Sequence, residues 1–173
     1  MAVDTSLIGQ VSGRKVVVIE RGPVSAFALA VKDQSRVYRD RQAAVDAGFR
    51  DIPAPPTFPF AMGFWGTFRE LQQDLEPVGS NPMWEIMGQL GAGLILHGEQ
   101  EFEYHRPVVV GDVLYGEDVL SDAYEKEADN RVMTFIVTTT TWRDYATGEP
   151  GDPVVTTRFN LIHRAHKRRS PSA

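Results

Sequence analysis

The chain has 173 residues, 42% of them apolar, which suits one domain with its own core and leaves little room for two. A formal net charge of −5 argues against nucleic acid as a partner. The absence of cysteine removes disulfides, thiolate metal sites and a cysteine nucleophile together, and fits a reducing, cytoplasmic setting.

The opening stretch, MAVDTSLIGQVSGRK, has no apolar run of signal-peptide length. Residues 15–20, KVVVIE, form a short β-branched run and read as a strand. Gly22-Pro23 breaks it, and VSAFALAVKD (24–33) reads as a helix. Residues 40–47, DRQAAVDA, read as a second short helix with Gly48 suited to its C-terminal cap. Pro53, Pro55, Pro56 and Pro59 then forbid a regular helix. After them FAMGFWGTFRELQQDL (60–75) predicts a long helix, apolar on most faces up to Arg69 and therefore buried. The run FPFAMGFWGTF is far short of the ~20 residues a membrane helix needs.

Residues 76–93 are irregular, with a helical turn or two around 83–90. From Leu94 the pattern changes to four long β-prone stretches, parted by turn signals at Gly111-Asp112, Ala128-Asp129-Asn130 and Thr147-Gly148. Meander connections predict an antiparallel sheet. One early strand, a central helix and four late strands make an α+β domain with the sheet wrapped on the helix. The expected domain runs over 1–164, and the basic residues 165–173 are expected to be a solvated, frayed tail.

Three segments carry a family resemblance: FALAVKD, AAVDAGFRDIPAPPTFPF and LHGEQEFEYHRPVVVGDVL. Together they resemble the N-terminal dehydratase half of the MaoC-like family, and in particular the non-catalytic subunit of mycobacterial (3R)-hydroxyacyl thioester dehydratases. The resemblance covers about residues 5–164 and implies a single hotdog fold, a long central helix wrapped by a five-stranded antiparallel sheet. Catalytic members hydrate enoyl thioesters or dehydrate (R)-3-hydroxyacyl thioesters through a Gly-Asp-x-Asn-Pro-x-His pattern, whose carboxylate and imidazole hold a water and move its protons. A second element, Ala-His-Gly at the helix start, donates a glycine N–H to the thioester carbonyl.

Laid on that pattern, Asp33 stands at the aspartate, Ser35 at the asparagine, Arg36 at the proline and Tyr38 at the histidine. Ala54-Pro55-Pro56 stands at Ala-His-Gly, so the carbonyl donor falls on Pro56, which has no N–H. A shift of one residue would put Thr57 N–H there instead. A tyrosine with an ordinary pKa near 10 is a poor base at neutral pH. The resemblance therefore implies the inert, tunnel-shaping half of a hydro-lyase. Asp33 and Tyr38 are degenerate equivalents of the acid–base pair, and Pro56, Thr57, Phe58, Met62, Trp65 and His97 are the substrate-side candidates.

No cofactor is expected: the acyl group would ride on CoA or an acyl carrier protein. The expected partner is a catalytic MaoC-like hotdog subunit, or a second copy. The alternatives are a stand-alone homodimeric acyl-CoA-binding protein and a weak homodimeric hydratase using Asp33. Thioesterase chemistry would need a carboxylate on the central helix, which first offers Glu70, late in its course.

Some features read more simply as structure. His97 and His105, eight residues apart, span about 26 Å at ~3.3 Å per strand residue, too far for one metal ion even with Glu99 between them. Gly111-Asp112 lies in a turn between strands. Gly91-x-Gly93 is too short for a phosphate loop.

Overall fold

The structure is a computed structural model that describes residues 3–167. Five strands form one antiparallel sheet: β1 (Val11–Val18), β2 (Leu94–Tyr104), β3 (Val113–Ala128), β4 (Arg131–Asp144) and β5 (Pro153–His166). Among the described residues four α-helices accompany it: α1 (Arg21–Ala30), α2 (Arg41–Asp46), α3 (Phe58–Trp65) and α4 (Pro82–Gln89). This is the α+β architecture expected, an antiparallel sheet curled on a helix. β5 runs through His166, two residues past the expected end of the domain, and residues 168–173 of the expected tail lie outside the described residues.

Several boundaries move. β1 begins before Lys15, and α1 begins at Arg21 and ends at Ala30. α2 falls where expected: the Asp40 side chain accepts from Gln42 N and Ala43 N, and Gly48 takes a positive φ of 91° just past its end. The strand order is β1-β3-β4-β5-β2, so only β3, β4 and β5 form a meander, and the link from β2 to β3 crosses the sheet. Among the described residues β2 is an edge strand paired only with β5.

The central helix is short. It stops at Trp65 instead of continuing to Leu75, because a tertiary contact competes for the chain. Gly66 closes the helix through its N–H to Met62 O, and its own carbonyl accepts from Val18 N at 2.9 Å. The Gln72 amide then brackets Val16, accepting from its N–H at 2.9 Å and donating to its carbonyl at 2.8 Å. Residues 66–72 thus cap the outer edge of β1. Among the described residues nothing covers the outer edge of β2 in the same way.

At Gly66 a Cβ would lie 2.5 Å from Val18 O and 3.1 Å from Val18 N, both backbone atoms that cannot swing aside. Gly66→Ala is expected to destabilise the fold by roughly 1–3 kcal/mol, read as a lower midpoint in urea. An unchanged midpoint would show that this edge is not held closely.

The core lies in two parts. One cluster gathers Val17, Phe58, Met62, Leu114, Trp142 and Val155 around the start of α3, with Phe27 edge-on to Phe58 at 5.5 Å. The other gathers Leu7, Ile86, Leu120, Ile136 and Leu161 beneath α4.

Candidate functional site

The loop before β3 fixes the start of α3. Val109 N donates to the Asp112 carboxylate at 2.9 Å, and Ile19 N to the Asp112 carbonyl at 2.8 Å. Arg106 reaches Asp112 at 2.8 Å and Asp144 at 2.7 Å, and Arg50 also pairs with Asp112, whose side chain is 1% exposed. The loop so held pairs with residues 52–54: Ala54 N donates to Val108 O and Val110 N to Ile52 O. From Ala54 the chain runs directly into Pro55, Pro56 and Thr57, the N-cap of α3. Asp112 therefore has a structural part, as its turn position suggested.

The helix start is poor in donors. Pro55, Pro56 and Pro59 carry no N–H, and Phe58 N already donates to Pro55 O at 2.9 Å. Among the described residues, Thr57 N–H has no acceptor, and Thr57 is exposed. The position one residue after Pro56 is thus the single backbone donor left between Pro55 and Pro59.

Asp33 and Tyr38 come together here. Asp33 follows the end of α1, and its side chain accepts from Ser35 N at 2.8 Å, a local turn. Tyr38 sits in a short 3₁₀ turn, where burial and then the charge of Asp33 push its phenol above the usual value. The next ring is Tyr104 at the end of β2. Its hydroxyl donates to the Pro56 carbonyl, and burial, followed by Tyr38, pushes it well up. A row therefore runs Asp33, Tyr38, Tyr104, Pro56. Both phenols stay protonated near neutral pH, so neither serves as a base.

Tyr104 was not singled out from the sequence, although it lies in the middle of the EFEYHRP segment that carries the resemblance. Arg39 also belongs to this neighbourhood: it donates to the Asp33 carbonyl, while its Nε is buried and has no partner among the described residues.

The substrate-side candidates separate. Phe58 and Met62 are each 1% exposed and belong to the core. Trp65 is half exposed at the end of α3, 6.2 Å from Phe58. Phe60 and Phe64, on the same helix, are exposed instead of buried, since a helix of this length cannot turn every apolar face inward. His97 lies on β2 with its ring 5.1 Å from Phe60 and 4.6 Å from Phe159. A bulge between His97 and Gln100 breaks the strict alternation, and His105, beyond the strand, contacts Thr156 instead. The two histidines are not neighbours.

A cavity of about 330 Å³ opens between α3, α4 and the concave face of the sheet. Phe60, Gly63 and Phe64 line one side, and Lys15, Asp118, Thr138 and Thr140 the other. These strand residues were also missed; their signal is the placing of Thr138 and Thr140 at inward positions between Ile136 and Trp142. Among the described residues no helix is long and apolar enough to cross a membrane, and no group of three or more His, Asp or Glu could hold a metal.

Residues 6–157 match the family described as FAS1-like, dehydratase domain region. The chain is similar to a UPF0336 protein of Streptomyces coelicolor, 33% identical over 168 residues that cover 95% of this chain and 97% of the relative. In fold it resembles the ChsH1–ChsH2 complex from Mycobacterium tuberculosis, with a TM-score of 0.69, 19% identity, and coverage of 94% of this chain and 88% of that one. It also resembles the C-terminally truncated HadBC (3R-hydroxyacyl-ACP dehydratase) complex of the same organism, with a TM-score of 0.65, 21% identity, and coverage of 91% and 98%.

Proposed function

Because this chain belongs to the FAS1-like dehydratase domain region family, we propose that it is the substrate-tunnel subunit of an (R)-specific enoyl-thioester hydratase, or 3-hydroxyacyl-thioester dehydratase, paired with a catalytic hotdog subunit. Its structural neighbours are hotdog proteins of the hydratase and dehydratase kind. The observation that carries the reading is the incomplete chemistry at the start of α3. Pro56 offers no N–H, and Tyr38 offers a phenol held protonated where the family uses an imidazole. What remains is a receptive cavity and an open sheet edge.

In this reading the partner's carboxylate and imidazole hold the water. Its oxygen adds to the β-carbon of the conjugated thioester and a proton arrives at the α-carbon; dehydration runs the same step backwards. This chain encloses the acyl group beyond the thioester and presents β2 as the seam. An edge of eleven residues with unpaired backbone groups is suited to strand-to-strand pairing. The family's acyl carriers are CoA or acyl carrier protein, and the reaction needs no cofactor.

A second reading has one observation in its favour. The Thr57 N–H, which has no acceptor among the described residues, together with the Asp33 carboxylate would give a homodimer a weak hydratase site. The two separate in a hydration assay on the purified chain, followed by ultraviolet loss of the conjugated thioester. The chain alone is expected to show no turnover above background, and Asp33→Asn no change. Turnover that vanishes in Asp33→Asn would overturn the tunnel-subunit reading in favour of the homodimeric hydratase.

A further inference from the structure

The concave face of the sheet carries a polar band where a continuous core would be ordinary. On β4, Ile136 belongs to one apolar cluster and Trp142 to the other, and the inward positions between them are Thr138 and Thr140. The same interruption crosses the neighbouring strands in register. Asp118 pairs with Thr140 and Thr140 with Thr157, while Phe159 lies between Thr138 and Gln100. Lys15 joins the band through a 2.9 Å ion pair with Asp118, to which Thr140 also donates at 2.6 Å.

This band is the floor of the cavity, and its opposite wall is aromatic, formed by Phe60 and Phe64. Three residues of its lining hold side-chain polar atoms that are buried and lack a hydrogen-bond partner among the described residues: Gln100 Oε1, Thr138 Oγ1 and Trp142 Nε1. α3 ends at Trp65, just past this aromatic wall.

Resting on the proposed function, we infer that this cavity selects acyl groups whose portion remote from the thioester bears hydroxyl or keto oxygens, in preference to plain alkyl chains. With the thioester at the start of α3, Phe64 stands six residues along the helix, about 9 Å at 1.5 Å per residue. The hydrocarbon of the chain packs on Phe60 and Phe64. Its oxygens exchange hydrogen bonds with the threonine hydroxyls and the Lys15–Asp118 pair. A plain alkyl chain would strip water from those groups and return nothing, and sites built to hydrogen-bond an oxygen discriminate against ligands that lack it.

The test is calorimetric binding of two probes, dodecanoyl-CoA and ω-hydroxydodecanoyl-CoA, to the full chain. The hydroxylated probe is expected to bind about tenfold tighter. In Thr138→Val/Thr140→Val, which keeps β-branched residues on the strand, that preference should fall to about twofold or less. A preference that survives the double variant overturns the assignment to this cavity. Gly63→Leu supplies a second arm. The three atoms nearest a Cβ there all belong to the flexible Lys15 side chain, the closest at 3.7 Å, so the Cβ meets no close backbone; the added side chain is expected to fill the cavity, and both probes should weaken about tenfold. Equal affinity of the two probes for the wild type overturns the inference and leaves the tunnel-subunit reading standing. Binding of neither overturns both.

Discussion

Mixed with a hotdog subunit that keeps the full aspartate–histidine pair, this chain is expected to raise enoyl-thioester hydration at least about a hundredfold over the two proteins assayed apart. This chain alone contributes next to no rate, and for the partner the magnitude rests on positioning, since a reacting group left about 1 Å out of place costs about 10²-fold. A missing donor to the carbonyl typically costs about 10²–10³ in rate, and a missing general base about 10²–10⁴. This chain lacks both in their family form, at Pro56 and Tyr38. The partner would supply both groups but would have no enclosed path for a long acyl group. The gain should therefore grow with acyl length, and a crotonyl thioester should gain least. It should also need β2: a proline in mid-strand removes an N–H and bends the edge, so association and rate should fall together. A rate that stays the simple sum of the separate activities would sink the assignment.

Asp112→Ala is the second large effect, and it concerns stability. The carboxylate is 1% exposed and balances Arg50 and Arg106 together, with Val109 N as a further donor. Removing one member of a buried ionic group typically costs about 3–5 kcal/mol, because the charges left behind keep their burial and lose their partner. Arg50 is largely exposed and can turn to water, so the lower end of that range is expected. Against a total stability on the order of 5–15 kcal/mol this is a large fraction. Chemical denaturation should show it as a lower midpoint with an unchanged slope. Asp112→Asn keeps the acceptor for Val109 and should cost less. A loss under about 1 kcal/mol in Asp112→Ala would mean that the arginines find other partners at no cost.

The sequence made the second half of the sheet legible. β3, β4 and β5 are long, β-branched and parted by clear turn signals, and each appears where the pattern put it. The central helix was legible in its start and not in its end. Phe58–Trp65 is set by local composition, but its stop is set by the bonds from Gly66 and Gln72 to β1, which lie far away in sequence. Strand order was likewise hidden, because the chain between β2 and β3 gives no local sign that it crosses the sheet. Asp33 and Tyr38 were reached through the family resemblance, by laying the chain on its Gly-Asp-x-Asn-Pro-x-His pattern. Tyr104 was not legible, since the face a strand residue takes depends on bulges such as the one at His97–Gln100, and the polar band showed only in the alternation of Thr138 and Thr140 between Ile136 and Trp142.

The order of the strands also bears on how the protein is made. β1 is synthesised first, yet its ion-pair partners on β3 lie 103 residues further on, as Arg14–Glu117 and Lys15–Asp118 show. At ribosomal rates of about 5–20 residues per second, Val16 and Val17 wait roughly 5–20 s before the strand that buries them exists. β3, β4 and β5 can zip as local hairpins as soon as they emerge. The nascent chain thus carries β1 unpartnered until β3 has emerged, and the last half of the sheet is the template onto which the first strand must close.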